Sequence, residues 1–224
     1  MPSLRGSATT GTNTSATVSV SRPSGVVAGD ILIALQCNET GLSGGLPSGW
    51  TQIYDDYFAF EARVAIRVAG ASEPSSYTFG GNTSGIRQNV IMIAVAEADP
   101  DLYTLTDGNS GSGTTITAPA ATAVRGDAFV VRYAVASDGS PVTFTPPSGH
   151  TERAEIAQAW VSCTCATQNT LAAAGSVSSA NFTASTSIVG SEFRLGITML
   201  LYPPAAAEQR IVVSPTAVHR SWSW

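Results

Sequence analysis

The chain has 224 residues, a formal net charge of −5 and only 12% charged residues, well under the roughly 25% of an average domain. That length suits one large domain or two smaller ones, each able to bury a core. An acidic balance without a basic run argues against a nucleic-acid partner, because nothing would neutralise phosphates. All eleven basic residues are Arg, and Ser, Thr, Gly and Ala replace the missing charge, which points to a hydroxyl-rich surface.

Residues 1–14 are polar and are expected to form a flexible or docking arm. They hold no apolar stretch of the kind a Sec-type signal needs. Ala16-Thr17-Val18-Ser19-Val20 alternates and opens the first strand. Gly29 and Asp30 make a tight turn: Gly29 is free to take positive φ and Asp30 to bind backbone amides. The strand that follows puts Ile31, Ile33, Leu35 and Cys37 on one face and Leu32, Ala34 and Gln36 on the other. Pro47 and Gly49 set a second turn that delivers Trp50 to the next strand in a fixed direction. Glu61 to Val68 has a clean period of two, with Ala62, Val64, Ile66 and Val68 inward and Glu61, Arg63, Ala65 and Arg67 outward. Ser76-Tyr77-Thr78-Phe79 is a short strand. Val90 to Val95 is apolar on both faces, as in the middle of a sandwich.

Asp99-Pro100-Asp101 and Asp107 to Gly113 read as a linker, after which the pattern returns. Gly126-Asp127 repeats Gly29-Asp30. Pro147-Ser148-Gly149-His150-Thr151 repeats Pro47-Ser48-Gly49-Trp50-Thr51, with His150 in the tryptophan's place. Ala128 to Val135 corresponds to the Ile31 strand, Trp160 to Ala166 to the Arg63 strand, and Phe193 to Leu201 to the Val90 strand. No segment holds a helical period over three turns. The expected fold is all-β: two duplicated antiparallel β-sandwich halves of jelly-roll or immunoglobulin size, packed together, with an extended C-terminal tail. The boundaries read as arm 1–14, first repeat 15–104, second repeat 105–204 and tail 205–224. In the tail, Ile211 and Val213 share one face of an extended chain, as do Trp222 and Trp224. That is more apolar surface than a solvated terminus should carry, so these four are candidates for docking a partner.

The motifs of a chemical kind are weak. Gly41-Leu42-Ser43-Gly44-Gly45 fits the nucleophile-elbow spacing, but a loop and Pro47 follow where a helix should. Asp55, Asp56 and Glu61, and Glu97, Asp99 and Asp101, are the acidic clusters. A carboxylate pair for glycoside hydrolysis would need to face one sugar, whereas Asp beside Pro100 is an ordinary turn former. Arg125-Gly126-Asp127 spells an adhesion tripeptide, yet its Gly-Asp belongs to the repeated turn. Asn13, Asn38, Asn82 and Asn181 begin glycosylation sequons, which carry little weight without a secretory signal. Three cysteines make no disulfide framework and fit small buried thiols. No catalytic residue, cofactor or metal site is expected, and no apolar run reaches the roughly 18 residues that cross a bilayer.

The residues do support a resemblance. Thr17-Val18-Ser19-Val20, Pro23-Ser24-Gly25, Ala28 to Ala34, Pro47 to Thr51, Arg67-Val68-Ala69, Glu73 to Phe79, Gly126-Asp127 and Pro147 to Arg153 resemble a β-rich module of actinobacterial phages. That module occurs in minor tail proteins and other virion components. The likeness spans about residues 15–202, rests on turn and core positions, and brings no catalytic residue. It implies a non-enzymatic virion structural protein, most simply a minor tail or tail-tip component serving assembly or host attachment. It would assemble in the host cytoplasm and leave by lysis. Its implied partners are other virion proteins in repeated copies, and a host-surface glycan if it attaches the particle. Capsid decoration and a carbohydrate- or receptor-binding module are the alternatives.

Overall fold

Ile31-Leu32-Ile33-Ala34-Leu35 is apolar at every position, so a strand made from it is stable only between two other layers. The fold supplies both. A computed structural model describes residues 1–57, 60–81, 84–110, 112–189 and 194–205. In the first half the strands are β1 (Ser3–Leu4), β2 (Thr9–Asn13), β3 (Thr17–Ser21), β4 (Ile31–Asn38), β5 (Thr51–Tyr57), β6 (Glu61–Val68), β7 (Ser76–Gly80) and β8 (Gln88–Ala96). A large antiparallel sheet runs β8-β4-β6-β5, with β1 and β2 both paired to the outer side of β8, and β3 pairs with β7 as a separate ladder.

The second half has β9 (Tyr103–Ser110), β10 (Gly113–Ala118), β11 (Ala121–Ala123), β12 (Phe129–Ala136), β13 (Phe144–Thr145), β14 (His150–Ile156), β15 (Ser162–Gln168), β16 (Gly175–Val177), β17 (Ala180–Ile188) and β18 (Arg194–Leu201). Its large sheet runs β9-β18-β12-β15-β14, beside the smaller β10-β17-β13 and β11-β16 ladders. The central order β8-β4-β6-β5 therefore recurs as β18-β12-β15-β14. Even the register irregularity recurs, between Gln52 and Tyr54 in one half and between Glu152 and Ala154 in the other.

The two large sheets lie face to face over one shared core. Ile31, Ile33, Leu35, Val64, Ile91 and Ile93 come from one sheet, and Val131, Tyr133, Val135, Leu195, Ile197 and Met199 from the other. Cys37 and Cys163, both buried and free, meet across it. The Cys37 thiol beside it, and then burial, push the Cys163 thiol well above the usual range. The outward face of each large sheet is covered in turn. Val18, Val20, Tyr77 and Phe79 of the β3–β7 ladder cover Leu32, Ala34 and Met92. Ile116 and Phe182 cover Ala134 and Ala166, and Val177 and Tyr202 cover Val130 and Leu200. Burying each large aliphatic side chain contributes about 1.5–3 kcal/mol, so the layers hold one another in place.

This layering corrects several sequence expectations. Arg63 and Ala65, assigned outward, are 4% and 1% exposed because the small ladder lies over them. Arg63 donates to Gln36 Oε1 at 2.7 and 2.9 Å and to the Gly44 and Gly80 carbonyls. Val68, assigned inward, is 48% exposed at the end of β6. Residues 1–14 are not a free arm: β1 and β2 extend the first large sheet, and Arg5 forks onto buried Asp30 at 3.0 and 3.1 Å. Asp107 to Ser110 is not linker but part of β9, which holds against β18 the place that β1 and β2 hold against β8. Trp160, placed in a strand, sits in the turn before β15. The tail residues Ile211, Val213, Trp222 and Trp224 lie outside the described residues.

Candidate functional site

The two Pro-Ser-Gly turns close identically. Trp50 N–H donates to the Pro47 carbonyl at 3.2 Å, and His150 N–H to that of Pro147 at 3.1 Å. Gly49 (φ 81°) and Gly149 (φ 74°) occupy the left-handed position of the turn, which glycine reaches without steric cost. What the turns deliver differs. Trp50 is 8% exposed and packs edge-on against Tyr77 and Phe79, each with ring centroids 5.2 Å away.

His150 enters a polar arrangement instead. Its Nε2 accepts from Arg132 Nε at 3.0 Å, so the ring proton is assigned to Nδ1, which donates to the Ser148 carbonyl at 3.1 Å. Arg132 is 1% exposed. It also donates to Thr198 Oγ1 at 2.7 Å, to the Ser178 carbonyl at 2.6 Å and to the Ala118 and Pro119 carbonyls. None of these partners is a carboxylate. Burial lowers the guanidinium pKa to about 10, and burial first, then Arg132, holds the imidazole below its usual range.

Strand register explains the difference. Ala34 pairs with Ala65, which faces Gln52 at the irregularity of β5; Arg132 pairs with Ala166, which faces Glu152 at the irregularity of β14. Arg132 thus takes the place of Ala34, where its long side chain reaches beneath the small ladders. The same count corrects the Gly-Asp repeat. Asp127 (φ 59°), not Gly126, stands where Gly29 (φ 91°) stands, and buried Ala128 stands where Asp30 does. Asp30 accepts from Val27 N–H at 2.9 Å and holds Arg5, a role Ala128 has no group to fill.

Beside His150 opens a cleft of about 550 Å³, bordered by Arg132, His150, Gln168, Asn169, Thr170 and Ser176. Among the described residues no Asp or Glu lines it. The other sequence candidates lie apart. The Gly41 to Gly45 loop packs on Gly80 and Gly81. Asp55 and Asp56, adjacent in β5, point to opposite faces and do not converge on one substrate. Asp99 caps its own turn by accepting from Asp101 N–H at 3.1 Å. Among the described residues no group of three or more His, Cys, Asp or Glu is placed to hold a metal ion.

Sequence reading missed Arg132, although a lone charge inside Phe129-Val130-Val131-Arg132-Tyr133-Ala134-Val135 was a signal. It also missed Trp160, which is 44% exposed at φ 71°, a conformation rarely adopted by bulky side chains. Comparison with known protein families, curated proteins and solved structures finds no match.

Proposed function

We propose that the chain is a non-enzymatic structural protein of a phage virion, a minor tail or tail-tip component that serves assembly or host attachment. The observation that carries this reading is the single core shared by two halves of like strand order. Both faces of each large sheet are spent on internal layers. Partner contacts therefore fall to the sheet edges, turns and loop ends of a stiff block, which suits a building unit repeated in an assembly. The turn and core residues shared with the β-rich phage module give the same direction. Immunogold labelling of purified particles tests it: label on the tail in repeated copies is the expected result. Label on the head would move the protein to capsid decoration, and absence from purified particles would overturn the reading. A second reading, carbohydrate or receptor binding, is favoured by the cleft beside His150.

A further inference from the structure

The two halves treat one place in opposite ways. In the first, Trp50 fills the space at the start of β5, closed over by Tyr77 and Phe79. In the second, His150 and Arg132 stand there and a cleft of about 550 Å³ lies open beside them, within the range of small-molecule sites.

Three features of the cleft specify what it would take. Arg132 is 1% exposed, and its donors go to carbonyls, Thr198 and His150. The wall thus carries a positive charge that no hydrogen-bonded anion among the described residues offsets. Among the described residues the lining holds no acid, although the chain has 16 acidic residues against 11 basic ones. The rim also offers donors left over by the fold. Asn169 accepts from Thr151 through Oδ1, which leaves its NH₂ group, and the Ser176 and Ser179 hydroxyls make no hydrogen bond within the described residues. Leu171, Ala172 and Val177 add a small apolar surface.

We propose that this cleft binds an anionic sugar, a saccharide carrying a carboxylate or a phosphate. Its oxyanion lies toward the Arg132–His150 pair, and its hydroxyls meet Asn169 and Ser176. Arg132 acts as a fixed charge rather than as a direct ligand, since it is 1% exposed and each of its three nitrogens already donates within the chain. Away from bulk water that charge is weakly screened. A neutral sugar keeps the hydroxyl contacts but loses the charge. The inference does not rest on where the protein sits in a particle, because binding is read on the isolated chain.

Calorimetric titration of the full chain tests it with methyl glucuronide, methyl glucoside 6-phosphate, methyl glucoside and inorganic phosphate. One or both charged sugars should bind about tenfold more tightly than methyl glucoside, the scale of one partly screened charge–charge attraction, and binding should weaken with added salt. Which of the two binds tells carboxylate from phosphate. Arg132→Met risks unfolding the half, so Ser176→Trp, at an exposed rim position, carries the localisation. It should abolish binding while the melting temperature stays unchanged, and Asn169→Ala should weaken binding severalfold. Equal affinity for methyl glucoside would overturn the anionic requirement. Inorganic phosphate binding as tightly as the sugars would overturn the saccharide. No binding of either charged sugar, or unaltered binding by Ser176→Trp, would overturn the site.

Discussion

Trp50 and His150 occupy one turn position, and their surroundings assign them different work. Trp50 packs in a dry aromatic cluster, so Trp50→Ala should cost about 3–5 kcal/mol, the usual penalty for emptying such a site. Chemical denaturation reads this as an earlier midpoint with unchanged slope. His150 should instead make stability depend on pH. Its folded pKa lies below the ordinary value of 6.5, through burial and then the facing Arg132 guanidinium. As pH falls through the unfolded value of about 6.5, the unfolded chain takes up a proton that the folded chain refuses. Stability therefore declines from there until the folded pKa is passed. His150→Gln, which still offers an acceptor to Arg132, should flatten this part of the melting-temperature profile. An unaltered profile would show that His150 does not hold its proton off in the folded state.

At the scale of elements, the strands that cross the shared core were legible because their apolar residues run unbroken or alternate. β4, β8 and the Ser-Tyr-Thr-Phe strand β7 fall where the pattern puts them. The outermost strands were not legible. β2 is Thr-Thr-Gly-Thr-Asn and β9 is Tyr-Thr-Leu-Thr-Asp-Gly-Asn-Ser. Such sequences read as arm and linker because pairing with the β8 and β18 backbones, rather than a run of apolar side chains, sets their place. The cleft was hidden for another reason, since the turn motif locates His150 but only register brings Arg132 beneath it. The pairing of Arg5 with Asp30 gives the clearest check on β1. Asp30→Asn keeps the acceptor for Val27 but removes the charge that holds Arg5. Hydrogen exchange should then quicken at the Arg5 amide, which donates to the Ala94 carbonyl at 2.8 Å, and stay unchanged in β4. Uniform quickening across the sheet would mean that Asp30 supports the fold as a whole.

For the whole molecule, the shared core means that neither half has a complete set of layers by itself. A first half cut after Ala98 would leave Ile33, Leu35, Val64 and Ile93 facing water, so it should aggregate or bind hydrophobic dyes. The full chain should unfold in one transition. Removing the C-terminal segment is a different operation. The last strand among the described residues, β18, ends at Leu201, and Tyr202 is buried with its hydroxyl against Thr104 at 2.8 Å. The described layers are therefore in place by residue 205. Residues 206–224 still carry Ile211, Val213, Trp222 and Trp224, apolar groups suited to an edge or groove on a neighbouring subunit. Truncation after Ala205 should give a soluble monomer whose melting temperature matches that of the full chain but which no longer enters particles. Complementation of a deletion phage, scored by the protein's presence in purified virions, reads assembly. Calorimetry of the isolated truncated chain reads folding. A melting temperature many degrees lower would make the segment part of its own molecule's core, and normal incorporation would remove it from assembly altogether.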